Sequence, residues 1–291
     1  MNRFCLTVAI LLWVGCENPA SPVGEKESAD VVAERIITLT PAMTETVFAL
    51  GLGESVIAAD ASSTFPREAE DLATLPYFRQ LAIEPLLALK PTLILSGEGA
   101  GPEPVLGQLK MAGVRVEVVP DADSFESALL RVESIAQLTG ADPGPVLERM
   151  QKDISKANTA SMTPVRVTFV YARGAKVLMA AGPDTAAGKL IALAGAEVVP
   201  KDFEGFKPLT AESLIAASPD LIVMADSGVE SIGGKEAVFQ IPGISESPAG
   251  KAQRLVLIND QMMVFGPRSG VAVLELKEKF AAAMNSGALN P

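Results

Sequence analysis

The chain has 291 residues, 48% hydrophobic and 20% charged, enough for two ordinary domains with their own cores. Aromatic residues make up only 5%, so those cores are aliphatic, and a net charge of −11 argues against nucleic acid or an anionic membrane as principal partner. Histidine is absent, which removes His-based acid–base catalysis, Ser-His-Asp and Cys-His triads and any His-ligated metal.

Both cysteines, Cys5 and Cys16, lie near the start, so the body has neither disulfide nor thiol chemistry. Arg3, the apolar run 6–14 and Gly15-Cys16 read as a signal peptide over 1–15, its apolar part too short to span a bilayer. Val14-Gly15-Cys16 resembles a bacterial lipobox and makes Cys16 the expected lipidation site; a plain signal with an incidental cysteine is the alternative. Residues 16–34, with Pro19, Pro22 and Gly24 among Ser, Glu and Lys, read as a solvated tether.

From Arg35 onward, short apolar runs alternate with helical stretches. Residues 35–39 read as a buried strand, 44–50 as a helix stopped by Gly51, and 56–59 as a strand. Helix 84–89 ends before Pro91 and leads into strand 93–95; helix 105–112 ends at Gly113 and leads into strand 114–119. Residues 125–138 and 143–157 are helical, and the second, ~22 Å long at ~1.5 Å per residue, suits a strut over 141–160. The order then returns as strand 165–170, helix 185–194 and strand 197–199. Residues 209–223 echo residues 81–95: each has a short helix opening at a glutamate (Glu84, Glu212), a proline stop and a strand.

Apolar, non-alternating strands imply parallel sheets covered on both faces. The expected architecture is therefore α/β: two Rossmann-like lobes, 35–140 and 161–284, joined by a long rigid interdomain helix, with 285–291 a disordered tail. A ligand belongs in the cleft at the carboxyl ends of the strands.

The 35–39 strand leading into Thr44-Glu45, the segment Lys90-Pro91-Thr92-Leu93-Ile94-Leu95 and the helical strut resemble the metal-chelate solute-binding proteins of ABC importers, over about residues 35–280. That family carries siderophores, cobalamin or haem. Leu75-Pro76-Tyr77-Phe78-Arg79-Gln80-Leu81, Gly205-Phe206-Lys207-Pro208-Leu209 and Phe265-Gly266-Pro267-Arg268 resemble its haemin-binding branch. The resemblance implies an exported, periplasmic carrier of ferric haem b, not an enzyme, serving a permease dimer and its ATPase, with a lipid anchor as its sole membrane contact.

Within that resemblance Tyr77 is the expected axial ligand, because a phenolate oxygen suits hard ferric iron. Arg79 is its electrostatic partner, pointing to the same side if the segment is extended. The bland alternative is a half-buried packing tyrosine. Arg268 and Lys207 are candidates for the haem propionates, with ordinary solvated charge as the alternative. Tyr171 and Arg173, ending the first strand of the second lobe, are further candidates facing the cleft. Some relatives complete the site with a histidine; here Tyr171 or a methionine opposite, or no second ligand, remains open. Glu84 and Glu212 complement helix dipoles, and the resemblance gives them a second role, docking onto permease arginines.

Other signals are weak. Gly51-Leu52-Gly53 follows a helix and is a stop, not a dinucleotide loop. Residues 96–101 follow a strand but lack the Lys-Ser/Thr of a phosphate loop and read as a cleft rim. Asp121 and Asp123 are too sparse for a calcium loop. Three rivals stand beside a haem carrier: a siderophore or cobalamin carrier, a two-domain Rossmann-like enzyme, and a haemophore or sensor without a transporter.

Overall fold

The computed structural model describes residues 34–159 and 163–286. The signal peptide, Cys16, all but the last residue of the tether and residues 287–291 of the tail lie outside the described residues.

The first lobe is a five-stranded sheet in the order β3-β2-β1-β4-β5. Its strands are β1 (Ile36–Leu39), β2 (Val56–Asp60), β3 (Ala73–Leu75), β4 (Leu93–Ser96) and β5 (Arg115–Val118). Every pairing is parallel, and β1 lies in the middle with all four residues buried. Ile37 and Leu39 face the core shared with α2 (Ile83–Ala88) and α3 (Glu103–Met111). Ile36 faces the core shared with α1 (Pro41–Ala49). A strand apolar on both faces has to be covered twice, which is why its sequence does not alternate.

Two helices follow, α4 (Phe125–Thr139) and α5 (Gly144–Thr159). Ser124 caps α4 in a reciprocal capping box with Ser127, and left-handed Gly140 ends it. The face 125–128–132 enters the second lobe's core while Ile135, one turn on, enters the first lobe's. One helix thus serves both cores. The strut α5 lies chiefly along the last helix, α11 (Ser269–Ser286), so it rests on the second lobe rather than standing free between the two.

The second lobe holds β6 (Arg166–Ala172), β7 (Leu178–Ala181), β8 (Glu197–Val198), β9 (Phe206–Pro208), β10 (Leu221–Ala225) and β11 (Leu255–Ile258). The order is β11-β10-β6-β7-β9, with β8 also on β6. Its helices are α6 (Ala186–Leu193), α7 (Ala211–Ala217) and the short α8 (Asp226–Ser231), α9 (Lys235–Val238) and α10 (Pro248–Lys251). This sheet corrects the expectation of parallel strands throughout, because β7 pairs antiparallel with both β6 and β9. The strand β7 returns from β6 through a short turn in which Val177 donates to the Gly174 carbonyl at 3.3 Å, and a turn that short joins only antiparallel strands.

Candidate functional site

Chain segments leaving the carboxyl ends of the first lobe's strands meet at one place. Thr40 follows β1, Phe78 and Arg79 follow β3, Glu98 follows β4, and Asp121 and Ala122 follow β5. With Arg131 of α4, and Ala186, Val264 and Phe265 of the second lobe, they enclose an inter-lobe cavity of about 320 Å3. This is the crevice in which open α/β sheets bind ligands.

Backbone bonds fix the two loops of its first-lobe wall. Phe78 O accepts from Gly101 N (2.8 Å) and Leu81 N donates to Gly101 O (2.9 Å), zipping 78–81 to the rim 97–101. Arg79 thereby lies over left-handed Gly99, where a Cβ would sit 3.5 Å from its guanidinium. Beneath the cavity, buried Asp60 accepts from Thr40 N (2.9 Å), Ser62 N (3.0 Å) and Ser63 Oγ (2.7 Å). That carboxylate holds Thr40 at φ 104°, a conformation a β-branched residue adopts only under constraint.

The cavity carries two cations and two acids. Arg131, 3% exposed, donates to Pro120 O (3.2 Å) and, across the lobes, to Phe265 O (3.0 Å), and lies 3.7 Å from Asp121. Burial lowers the proton affinity of Arg131, partly offset by Asp121, Glu98 and Glu45. Desolvation raises the Asp121 pKa above its ordinary value, with Glu98 adding to the rise and Arg131 and Arg79 opposing it.

Tyr77 and Phe78 pack at 4.4 Å between centroids, with Tyr77 38% exposed. The extended segment expected at 77–79 is a turn: Gln80 N donates to Tyr77 O at 2.7 Å. Arg79 therefore stacks on Phe78, 5.3 Å from its centroid, and makes no hydrogen bond to Tyr77. Tyr171, also 38% exposed, meets Phe206 edge-on at 6.1 Å. The ladder 171↔179↔208 with 181↔206 puts Tyr171 and Phe206 on one face of the sheet. Arg173, two residues beyond Tyr171, is exposed and is tied through its backbone to Val177. Lys207 pairs with Ala180 and so points to the opposite face, where it sits 5.2 Å from the ring centroid of Phe203.

Arg268 is engaged elsewhere. Its Nη2 lies 2.9 Å from buried Glu45, its backbone N–H donates to the same carboxylate (3.1 Å), and its guanidinium lies 3.3 Å from the Phe65 ring centroid. It lines a separate cavity of about 470 Å3 with Phe48, Phe65 and Arg149. These contacts join the two lobes through the Arg268 side chain. Glu84 and Glu212 are exposed in the first turns of α2 and α7, equivalent places in the two lobes.

Sequence reasoning passed over Thr40, Asp60 and Arg131. A signal existed for each: Thr40 and Asp60 stand at the carboxyl ends of apolar strands, and Arg131 interrupts the apolar face 125–128–132–135 of a helix. The rim reading of 96–101 matches where Glu98 lies.

Comparison with known proteins places the chain among carriers. Residues 36–262 match the family described as periplasmic binding protein. An uncharacterised ABC transporter substrate-binding lipoprotein of Bacillus subtilis, YvrC, is 26% identical, covering 96% of this chain and 95% of its own. A vitamin B12-binding protein of Yersinia pestis is 27% identical over 72% of this chain and 75% of its own. Among solved structures, the apo form of the periplasmic heme-binding protein RhuT from Roseiflexus sp. RS-1 superposes with a TM-score of 0.82 at 35% identity, covering 86% of this chain and 98% of that one. The chain belongs to the periplasmic binding protein family, the exported, non-enzymatic solute carriers that serve ABC importers.

Proposed function

We propose that the chain captures ferric haem in the inter-lobe cleft and delivers it to the permease and ATPase of an ABC importer. The observation that carries this reading is the position of its two tyrosines. In a chain with 5% aromatic residues, both stand 38% exposed, Tyr77 just beyond the carboxyl end of β3 and Tyr171 near that of β6, each against a phenylalanine. Iron stabilises a bound phenolate, and a nearby cation adds to this. Arg79, two residues from Tyr77, supplies that charge, so Tyr77 is the proposed axial ligand, with Tyr171 the candidate opposite it. Arg173, exposed two residues beyond Tyr171, is a further candidate; Lys207, turned to the other face of β9, and Arg268, engaged by Glu45, are weaker ones. The likeness to RhuT, named as heme-binding, supports the same cargo. Glu84 and Glu212 are the proposed docking points for the permease. Cys16 is the proposed lipid anchor point, in keeping with a relative named a lipoprotein.

The second reading, a cobalamin or siderophore carrier, is favoured by the relative named as vitamin B12-binding. Titration with ferric haemin separates the two. Haem carriage predicts a saturable high-spin, phenolate-type spectrum that Tyr77→Ala alters. Retention of cyanocobalamin or a ferric siderophore without haemin would exclude it.

A further inference from the structure

Among the outer strands of the two sheets, β5 differs from the others. The strands β3 and β9 have only three residues each, and β9 ends at Pro208. On β11, Lys279 Nζ donates to the outward carbonyl of Leu257 at 2.7 Å and so covers that edge. The edge of β5 has neither protection. Val119 N donates to Ser96 O at 2.8 Å, so alternate N–H groups turn toward β4 and those of Val116 and Val118 turn outward. No strand among the described residues pairs with that side. The helix α3 covers one face of β5, where Leu109 shares a core with Val116, and α4 covers the other, where Ile135 shares one with Val119. On those two helices Met111 and Leu130 are 82% and 61% exposed, more than any other large apolar side chain among the described residues. Val118, on the strand itself, is 48% exposed. An open edge with bare apolar groups about it is a surface for association.

We propose that β5 pairs antiparallel with β5 of a second copy of this chain, about a twofold axis at Val116, joining the two first-lobe sheets into one. The charges on the strand select both the occupant and the register. Arg115 and Glu117 lie on the α4 face, 3.1 Å apart, and Arg115 Nη1 also donates to Leu138 O. With the axis at Val116, the outward N–H and C=O of that residue bond to their counterparts across the axis. Arg115 of each copy then stands opposite Glu117 of the other, in the closely spaced positions where cross-strand pairs interact most. An axis at Arg115 or at Glu117 would set like charges opposite each other instead. An edge that is its own complement fits a copy of itself through an isologous contact. Neither the residues of β5 nor Met111 and Leu130 line the inter-lobe cavity, so association and cargo binding can be measured separately.

Sedimentation equilibrium of the purified full chain tests this pairing. Salt at about 0.15 M shortens the Debye length to about 8 Å and screens the net charge of −11 that would hold two copies apart. Wild type should show a reversible monomer–dimer equilibrium with a dissociation constant below about 1 mM. Glu117→Arg, which sets arginine opposite arginine, should weaken the dimer about tenfold or more, and Arg115→Glu should do the same. Combining the two exchanges the charges and should restore the wild-type constant. Hydrogen exchange supplies a readout that needs no variant: the Val116 and Val118 amides should gain protection as the chain concentration rises. A chain that stays monomeric, a dimer that Glu117→Arg leaves intact, or a folded double variant that fails to dimerise overturns the proposal. Exchange at Val116 and Val118 that is the same at low and high concentration overturns it too, and this measurement decides alone if urea unfolding shows that a charge variant has lost its fold.

Discussion

Glu45 of the first lobe accepts two hydrogen bonds from Arg268 of the second, one from the backbone N–H at 3.1 Å and one from Nη2 at 2.9 Å. The carboxylate is buried, and the far side of the guanidinium is closed by Phe65. Removing one partner of such a pair strands the other charge, so Glu45→Ala should destabilise the chain by about 3 kcal/mol. The double variant with Arg268→Ala should recover part of that loss. Urea unfolding in a double-mutant cycle measures both. Additive losses would show that the two residues do not act as a pair.

The same junction depends on close helix packing. At Gly270, in the first turn of α11, a Cβ would lie 2.6 Å from the backbone nitrogen of Ile154 in α5. Neither backbone can move without displacing a whole helix, so Gly270→Ala should cost about 2 kcal/mol, within the range for overpacked cores. Its unfolding midpoint in urea should fall at an unchanged slope.

Much of this architecture was readable from residue order, and the limits have physical causes. The strands 36–39, 93–96 and 221–225 were legible because each is apolar on both faces and bounded by Gly, Pro or polar residues. The reversal of β7 was not: Leu178–Ala181 is a four-residue apolar run, and its direction is set by the turn at 174–177 and by pairing to Phe206–Pro208. At the site, the exposed tyrosines and the glutamates at helix N-termini could be read locally. The partner of Arg268 could not, since Glu45 lies 223 positions away and nothing near Arg268 in sequence announces it. An extended chain would put Arg79 beside Tyr77, and the hydrogen bond from Gln80 N to Tyr77 O turns it toward Phe78 instead.

Arg166 and Asp220 tie β6 to the loop before β10, and their coupling makes stability depend on acid. Asp220 accepts from Arg166 N (3.0 Å), Nε (3.2 Å) and Nη2 (3.2 Å). Desolvation acts to raise its pKa, but the bonds from Arg166 and the charges of Arg166 and Arg254 outweigh it, and the net shift is downward. A depressed folded value means that the contribution is present above the unfolded pKa, about 3.9, and is lost as pH falls through the folded one. Asp220→Asn should therefore lower the melting temperature at neutral pH and flatten its decline under acid. Parallel acid limbs for wild type and variant would rule this contribution out.

Glu84 and Glu212 occupy the second position of α2 and of α7, one in each lobe, both exposed. As helix-dipole partners each is worth only about 0.3–1 kcal/mol, and neither has a salt bridge to a basic residue among the described residues. Two equivalent, unpaired carboxylates on two lobes suit a partner that presents two equivalent cations, as a permease dimer can. Replacing both by arginine should leave haemin affinity unchanged within about twofold, and the loss of stability should stay near the dipole term. Uptake by cells carrying the cognate importer should fall to background, with each single variant intermediate. If the double variant still supports wild-type uptake, docking lies elsewhere and the glutamates serve only their helices. If its haemin affinity collapses as well, the two residues belong to the cargo site instead.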